Sequence, residues 1–134
     1  LKPVASLFGQ VLQVRNVKAG TTVGYGGTYC AATDERIMIV GLGYADGVPR
    51  LLSNQGQVFV QDQRCPIRGR VSMDMLHADA SKVDVVVGDW VEVMGENICV
   101  DEIATQAQTI SYEVLTGLGK RLRRVYLNDS DFEQ

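Results

Sequence analysis

The segment FGQVLQVRNV, residues 8–17, alternates apolar with polar side chains and predicts a β-strand that buries one of its faces. The segment KAGTT, residues 18–22, follows it, with Gly20 standing where a tight turn needs a glycine. A β-branched segment comes directly after the turn. This order of strand, turn and β-branched residues predicts a hairpin.

Further segments predict strands because they are apolar or alternating and are bounded by turn residues. They are residues 36–41, residues 57–60 and 65–67 on either side of a turn centred on Asp62, and residues 70–75, 90–94 and 123–127. Many short strands separated by turns favour a barrel, because a closed barrel leaves no exposed sheet edge.

The segment from residue 101 to residue 108 has a different pattern. Ile103, Ala104 and Ala107 fall at helical spacing, and Asp101 and Glu102 suit the positive end of a helix dipole. The sequence therefore predicts an all-β, barrel-like antiparallel domain with one or two short helices near the C-terminus.

The composition excludes several classes of protein. A chain of 134 residues with 46% apolar and 22% charged residues predicts one globular domain, residues 1–134. Its net charge of -3 argues against a nucleic-acid partner. No apolar run approaches the ~20 residues of a membrane-spanning helix. We therefore expect neither nucleic acid nor membrane among its partners.

The cysteines predict neither a disulfide framework nor a metal site. Cys30, Cys65 and Cys99 are odd in number, far apart and without a CxxC pair. We interpret all three as small buried side chains in a reducing compartment, which predicts a cytoplasmic location. The one histidine, His77, is expected to be an exposed or hydrogen-bonded sheet residue rather than a ligand.

Three glycine-rich polar segments are candidates for function, and each also has a purely structural interpretation. Residues 24–27, GYGG, are either a hairpin tip or a loop that holds a tyrosine close to a ligand. Residues 41–50, GLGYADGVPR, are either an Asp-Gly turn or a polar loop that faces a ligand at a strand end. Residues 69–75, GRVSMDM, fit an edge strand with Arg70 and Asp74 in solvent. The basic run 120–124 fits a solvated face.

Four segments, taken in order, closely resemble the C-terminal domain of alanine racemases. They are VGYGGTY (23–29), GYADGVPR (43–50), GRVSMDM (69–75) and ISYEV (110–114). The likeness runs over almost the whole chain. It implies a longer protein, in which an N-terminal barrel carries a lysine that holds pyridoxal 5'-phosphate. It also implies a head-to-tail homodimer, in which each active site combines one subunit's lysine with a tyrosine from the other subunit's C-terminal domain.

The resemblance also implies roles for individual residues. Tyr25 matches the catalytic tyrosine, which exchanges protons with the substrate's alpha carbon on the face opposite the lysine. Tyr112 matches a tyrosine that donates a hydrogen bond to the cofactor phosphate and limits the substrate pocket. Met73 matches a residue whose backbone N–H binds the substrate carboxylate, with Asp74 beside it. Tyr44 matches a residue at the inner mouth of the access channel, and three further matches surround that channel: Arg50, Arg70 and Ile110. No metal is implied.

The implied activity is the interconversion of L- and D-alanine, which supplies D-alanine for peptidoglycan of the cell wall. Tyr112 favours alanine, because members that favour serine or a broad range of amino acids tend to lack a tyrosine there. A serine or broad-specificity racemase, a non-catalytic interaction module and the β-domain of a related decarboxylase remain as alternatives. None of Lys2, Lys18, Lys82 and Lys120 lies in a segment resembling the one that holds the cofactor, so the isolated domain is expected to be inactive.

Overall fold

The longest strand, β1, lies at the middle of the main sheet. The structure is a computed structural model that describes residues 5–24, 26–119 and 122–124. Strand β1 spans Leu7–Val17, which confirms the strand predicted from the alternating segment. It pairs antiparallel with β4 (Glu35–Val40) along its C-terminal part and with β8 (Trp90–Met94) along its N-terminal part. A break in register at Leu12 marks a β-bulge, which lets so long a strand bend around the core.

Six strands form the main sheet in the order β6-β5-β8-β1-β4-β7. Strand β5 is Gln57–Val60, β6 is Gln63–Pro66 and β7 is Leu76–Asp79. Just beyond β6, Ile67 forms an antiparallel bridge with Ala78 of β7, so the two ends of the sheet meet. The fold is a nearly closed antiparallel barrel, as the sequence predicts.

The turn centred on Asp62 is confirmed as well. It joins β5 to β6, and both of its central residues, Gln61 and Asp62, have positive φ angles of 52° and 60°. Two successive residues with positive φ form the kind of two-residue turn whose twist matches that of a hairpin.

The barrel interior is filled by buried side chains from every strand of the main sheet, which are apolar in most strands and Cys65 in β6. Val58, Val91, Met38, Val40 and Leu76 are completely buried or nearly so. Strands β2 (Thr22–Val23) and β3 (Tyr29–Cys30) form a separate two-stranded hairpin. A second, smaller apolar cluster packs at this hairpin and consists of Val17, Val23, Ala31 and Ile37. This hairpin carries the glycine-rich segment 24–27 between its strands.

Two short helices follow the last strand of the barrel. Helix α1 spans Val100–Gln106 and α2 spans Ser111–Thr116. Helix α1 buries Ile103 and Ala104, the residues whose spacing predicted it, and has Asp101 and Glu102 in its first turn. Within the described residues, no helix has the length and apolar character needed to cross a membrane.

Two predicted elements are wrong. The turn at residues 18–21 exists, with the Thr21 N–H donating to the Lys18 carbonyl, but it does not close a hairpin on β1. The Gly20 N–H donates to the Ala31 carbonyl at 2.7 Å, so the chain leaves the barrel for the β2–β3 hairpin before returning as β4.

The predicted strand 70–75 is a loop, and the strand begins only at Leu76. Gly69 has a φ angle of 79°, which breaks the extended conformation. The Ser72 N–H and hydroxyl then both donate to the Met75 carbonyl at 3.0 Å, which closes a tight turn.

Other predictions are corrected or lie outside the described part of the chain. Cys65 is buried as predicted, but Cys30 and Cys99 are exposed, because both lie at element ends outside the barrel wall. Of the predicted last strand, Arg123 and Arg124 are not in strand conformation, and residues 125–127 lie outside the described residues.

Candidate functional site

A cleft lies where the loop after β4 meets the loop before β7. Its volume is about 820 Å³. Two short 3-10 helices, Tyr44–Asp46 and Arg50–Leu52, form one wall, and residues 70–75 form the other. Five residues predicted from the resemblance line this cleft: Tyr44, Arg50, Arg70, Met73 and Asp74.

Backbone hydrogen bonds join the two walls directly. The Tyr44 N–H donates to the Ser72 carbonyl at 2.9 Å, and the Ala45 N–H donates to the Met73 carbonyl at 3.0 Å. A Cβ atom on Gly43 would overlap these two carbonyl groups, so only glycine allows this approach. The buried carboxylate of Asp46 accepts a hydrogen bond from the Gly43 N–H at 3.0 Å, which stabilises the wall formed by the loop after β4.

The same loop also contacts the helical end of the domain. A Cβ on Gly47 would lie 2.5 Å from the Gly117 carbonyl oxygen, and the Gly119 N–H donates to the Asp46 carbonyl at 3.0 Å. The segment GYADG therefore forms a turn, as its structural interpretation holds, and also a wall of the cleft. That this loop faces a ligand stays a prediction.

Asn54 is a positioning residue that sequence reasoning missed. Its side-chain oxygen accepts the Gly69 N–H at 2.6 Å, and its Nδ2 donates to Thr28 Oγ1 at 3.0 Å. Its φ angle of 59° is one that asparagine tolerates better than most residues. The segment SNQG, residues 53–56, has the composition of a turn and could have drawn attention to Asn54. Nothing in this segment indicates which distant backbone group the Asn54 side chain binds.

Two arginines, the carboxylate of Asp74 and the exposed ring of Tyr44 line the cleft. The Arg50 guanidinium carbon lies 5.4 Å from the centre of the Tyr44 ring, within cation–π range. Arg50, Arg70 and the Met73 side chain, which is 51% exposed, are open to solvent. Two guanidinium groups around a cleft suit an anionic ligand such as a carboxylate.

Ile110 and Tyr112 do not line this cleft. They lie at the start of α2 and are 66% and 73% exposed. The helix is joined to the GYADG loop at its C-terminal end, through Gly117 and Gly119.

Tyr25 itself lies outside the described residues, but both of its neighbours in sequence are described. Gly24 and Gly26 have φ angles of 83° and 77°. A Cβ on Gly24 would lie 2.9 Å from the Gly69 Cα, and one on Gly26 would lie 3.2 Å from Arg70 Nη1. Gly24 and Gly26, the neighbours of Tyr25 in sequence, thus lie against Gly69 and the cleft residue Arg70.

A polar cluster at the base of the β2–β3 hairpin was also missed. The Tyr29 hydroxyl donates to Glu35 Oε2 at 2.6 Å, and the Arg68 guanidinium lies over the Tyr29 ring at 4.6 Å. Arg68 makes ion pairs with Glu35 at 3.7 Å and with Asp79 at 3.3 Å. Burial, together with the hydrogen bond to Glu35, raises the pKa of Tyr29 above its ordinary value of 10.0, so the phenol stays protonated.

The described residues contain no group of three or more His, Cys, Asp or Glu side chains that could hold a metal ion. His77 lies half-buried in β7 and is not part of the cleft lining.

A comparison with protein families identifies the family to which this domain belongs. Residues 4–126 match the model of the family described as alanine racemase, C-terminal domain. The chain belongs to this family. The resemblance inferred from the four sequence segments is thereby confirmed.

Relatives of this alanine racemase domain are similar over nearly its whole length. The catabolic alanine racemase of Agrobacterium fabrum is 45% identical over 130 residues, which cover 95% of this chain and 34% of that protein. The alanine racemase of Brucella canis is 46% identical over 128 residues, covering 93% of this chain and 32% of that protein. The chain thus spans about a third of the length of these relatives.

Solved structures agree with the fold. The biosynthetic alanine racemase of Pseudomonas aeruginosa superposes with a TM-score of 0.89 at 43% identity, covering 96% of this chain and 36% of that chain. The alanine racemase of Bartonella henselae with covalently bound pyridoxal phosphate gives a TM-score of 0.87 at 40% identity, covering 91% and 34%.

Proposed function

We propose that this chain is the C-terminal β-domain of a pyridoxal-phosphate-dependent alanine racemase, in which Tyr25 acts as an acid/base in the partner subunit's active site. The observation that carries the proposal is the convergence of Tyr44, Arg50, Arg70, Met73 and Asp74 on one cleft. These residues come from two loops far apart in sequence. The segment that bears Tyr25 meets the same cleft at Arg70.

The cleft offers what an amino-acid substrate requires. The substrate is a small zwitterion whose carboxylate is attracted by guanidinium groups and oriented by backbone N–H donors. Arg50 and Arg70 supply the attraction. We assign the orientation to the Met73 backbone N–H, with Asp74 beside it, because the backbone hydrogen bonds to Tyr44 and Ala45 hold this turn in place.

Proton transfer by Tyr25 requires help from outside the tyrosine itself. A phenol has an ordinary pKa of about 10, and lowering it to about 7 requires about 4 kcal/mol of stabilisation of the phenolate. Burial acts in the opposite direction, so a nearby cation or hydrogen-bond donor is needed. Arg70 lies beside the loop that carries Tyr25, and we assign the rest of this stabilisation to the N-terminal domain.

The described residues fit a contributory role toward the cofactor. The exposed phenol of Tyr112 can donate a hydrogen bond to a phosphate, and Ile110 adds an apolar surface beside it. Pyridoxal phosphate, when bound, withdraws electrons from the substrate's alpha carbon and so makes its hydrogen acidic. We assign the lysine that holds the cofactor to the N-terminal barrel domain, which is why we expect no racemisation by this domain alone.

Exposed apolar and aromatic side chains at the cleft and at the start of α2 support contact with a partner. They are Tyr44, Leu51 and Met73 at the cleft, and Ile110 and Tyr112 at the start of α2. Side chains of this kind are typical of surfaces that a partner covers. We propose that the N-terminal barrel and a second subunit cover them in a cytoplasmic homodimer that supplies D-alanine for peptidoglycan.

The proposal is tested by assaying the full protein, with pyridoxal phosphate, for conversion of alanine in both directions. We expect racemisation by the parent, a fall of about 10²-fold or more in Tyr25→Phe, and parent activity in Tyr126→Phe, a tyrosine to which we assign no role. A Tyr25→Phe variant that racemises at the parent rate in both directions contradicts the proposal. Serine is assayed alongside, and a higher kcat/KM for serine than for alanine supports the alternative specificity.

A further inference from the structure

The β2–β3 hairpin is too small to hold its own tip in place. Each strand has two residues, paired as Thr22 with Cys30 and Val23 with Tyr29. An isolated two-stranded hairpin is marginally stable at best, even when it is longer than this one. The positions of Gly24 and of residues 26–28 therefore depend on contacts between the hairpin and the barrel.

One of these contacts is the cluster of Tyr29, Arg68, Glu35 and Asp79. Arg68 stacks on the face of the Tyr29 ring, while Glu35 accepts a hydrogen bond from the Tyr29 hydroxyl. The ring is thus held on its face and at its polar end. The Glu35 side chain is 7% exposed and that of Arg68 is 28% exposed, so water screens these charges little.

Arg68 is itself anchored to the barrel on two sides. Its N–H donates to the His77 carbonyl of β7 at 2.8 Å, and its guanidinium pairs with Asp79 of the same strand. The two residues that follow Arg68 are Gly69 and Arg70, and these lie against Gly24 and Gly26. The short segment 68–70 therefore touches both ends of the hairpin loop.

We propose that Arg68 is a positioning residue for the loop that carries Tyr25. Its planar guanidinium stacks on Tyr29 at the base of the hairpin, and this fixes where Gly24 and Gly26 meet Gly69 and Arg70. A lysine in its place keeps the charge but lacks a planar group that can stack and pair at once. The consequence for catalysis rests on the function proposed above, whereas the effect on the loop does not.

The test compares Arg68→Met with Arg64→Met in the full protein. Arg64 makes a matched control because it also forms a carboxylate pair, with Glu102 at 2.7 Å, but it joins β6 to α1 and is not part of the cleft lining. Amide hydrogen exchange is measured over residues 22–30. We expect at least about tenfold faster exchange there in Arg68→Met than in the parent or in Arg64→Met, with exchange in β1 unchanged.

Steady-state kinetics supply a second readout, which a purely structural role does not move. We expect kcat of Arg68→Met to fall about tenfold with KM changed by less than about twofold, because a small displacement of a catalytic group slows the chemical step. Arg68→Lys is expected to fall between Arg68→Met and the parent. Tyr29→Leu removes the ring and leaves the ion pairs of Arg68. We expect it to speed amide exchange over residues 22–30 as well. This second variant keeps the proposal testable if Arg68→Met does not fold.

Unchanged exchange over residues 22–30 in both Arg68→Met and Tyr29→Leu overturns the proposal. Exchange that rises equally throughout the barrel overturns it as well, because Arg68 would then only stabilise the fold. If the parent lacks racemase activity, the proposed function fails, while the exchange data still decide the role of Arg68.

Discussion

At the scale of single residues, His77 combines burial with a neighbouring positive charge. Its side chain is half-buried in β7, and its Nδ1 has no hydrogen-bond partner among the described residues. Burial, and then the charge of Arg15, lower the pKa of His77 below its ordinary value of 6.5. The folded protein therefore binds this proton less readily than the unfolded chain does.

This shift predicts a pH dependence of stability. The contribution of His77 is fully present above pH 6.5 and is lost as the pH falls toward the folded-state pKa. Between pH 7 and 5, the parent should lose up to about 1.4 kcal/mol per pH unit more than His77→Gln does. Urea unfolding at several pH values measures this difference, and parallel curves for the two proteins contradict it. His77 is the one histidine of these 134 residues, so unfolding of this domain alone exposes no other imidazole that titrates in this range.

At the scale of elements, the loop after β4 is shaped by contacts with distant backbone as well as by its own turn. Gly43 approaches the Ser72 and Met73 carbonyls, and Asp46 binds back to the Gly43 N–H. One loop therefore sets the position of the other, and the cleft between them depends on both.

Gly43→Ala tests this dependence. The added methyl group overlaps the Ser72 and Met73 carbonyls, so the two loops must separate. We expect a loss of more than about 2 kcal/mol in the free energy of unfolding, together with reduced racemase activity of the full protein. Gly117→Ala is the control, because its Cβ would lie 3.2 Å from the Glu113 carbonyl and its φ angle of -80° suits alanine. We expect it to change stability by about 1 kcal/mol or less, and equal losses in the two variants contradict the interpretation.

Local patterns were sufficient to predict the elements whose structure is decided locally. Strands β1 and β4, the turn at Asp62 and helix α1 follow from alternation, an apolar run, turn residues and helical spacing. The strand predicted at residues 70–75 failed because Ser72, Met73 and Gly69 bond to loop partners that are distant in sequence. The hairpin predicted after β1 failed because Gly20 bonds to Ala31 instead.

The candidate site was predictable only in part, for the same physical reason. The resemblance named residues on both walls of the cleft, since each lies in a recognisable segment. Asn54, Arg68 and Glu35 act through partners on other elements, and nothing in their own segments indicates those contacts. Nor does a local pattern show that Cys30 and Cys99 lie outside the barrel wall.

At the scale of the whole molecule, our proposal makes the cleft of this domain one part of an active site. It supplies guanidinium groups, a polar turn and the loop that carries Tyr25, while no lysine of the chain resembles the one expected to hold the cofactor. On our proposal, the remainder comes from the N-terminal domain of a second subunit. Each active site of the dimer is then shared between two chains.

A mixed-dimer experiment tests this sharing most directly. The full protein is made with Tyr25→Phe and, separately, with its cofactor-binding lysine replaced, and the two variants are mixed under conditions that allow subunits to exchange. We predict that each variant alone is nearly inactive and that the mixture regains racemase activity, because a mixed dimer contains one site with both groups intact. A mixture that stays inactive although mixed dimers have formed contradicts the claim that this domain supplies Tyr25 to its partner's site.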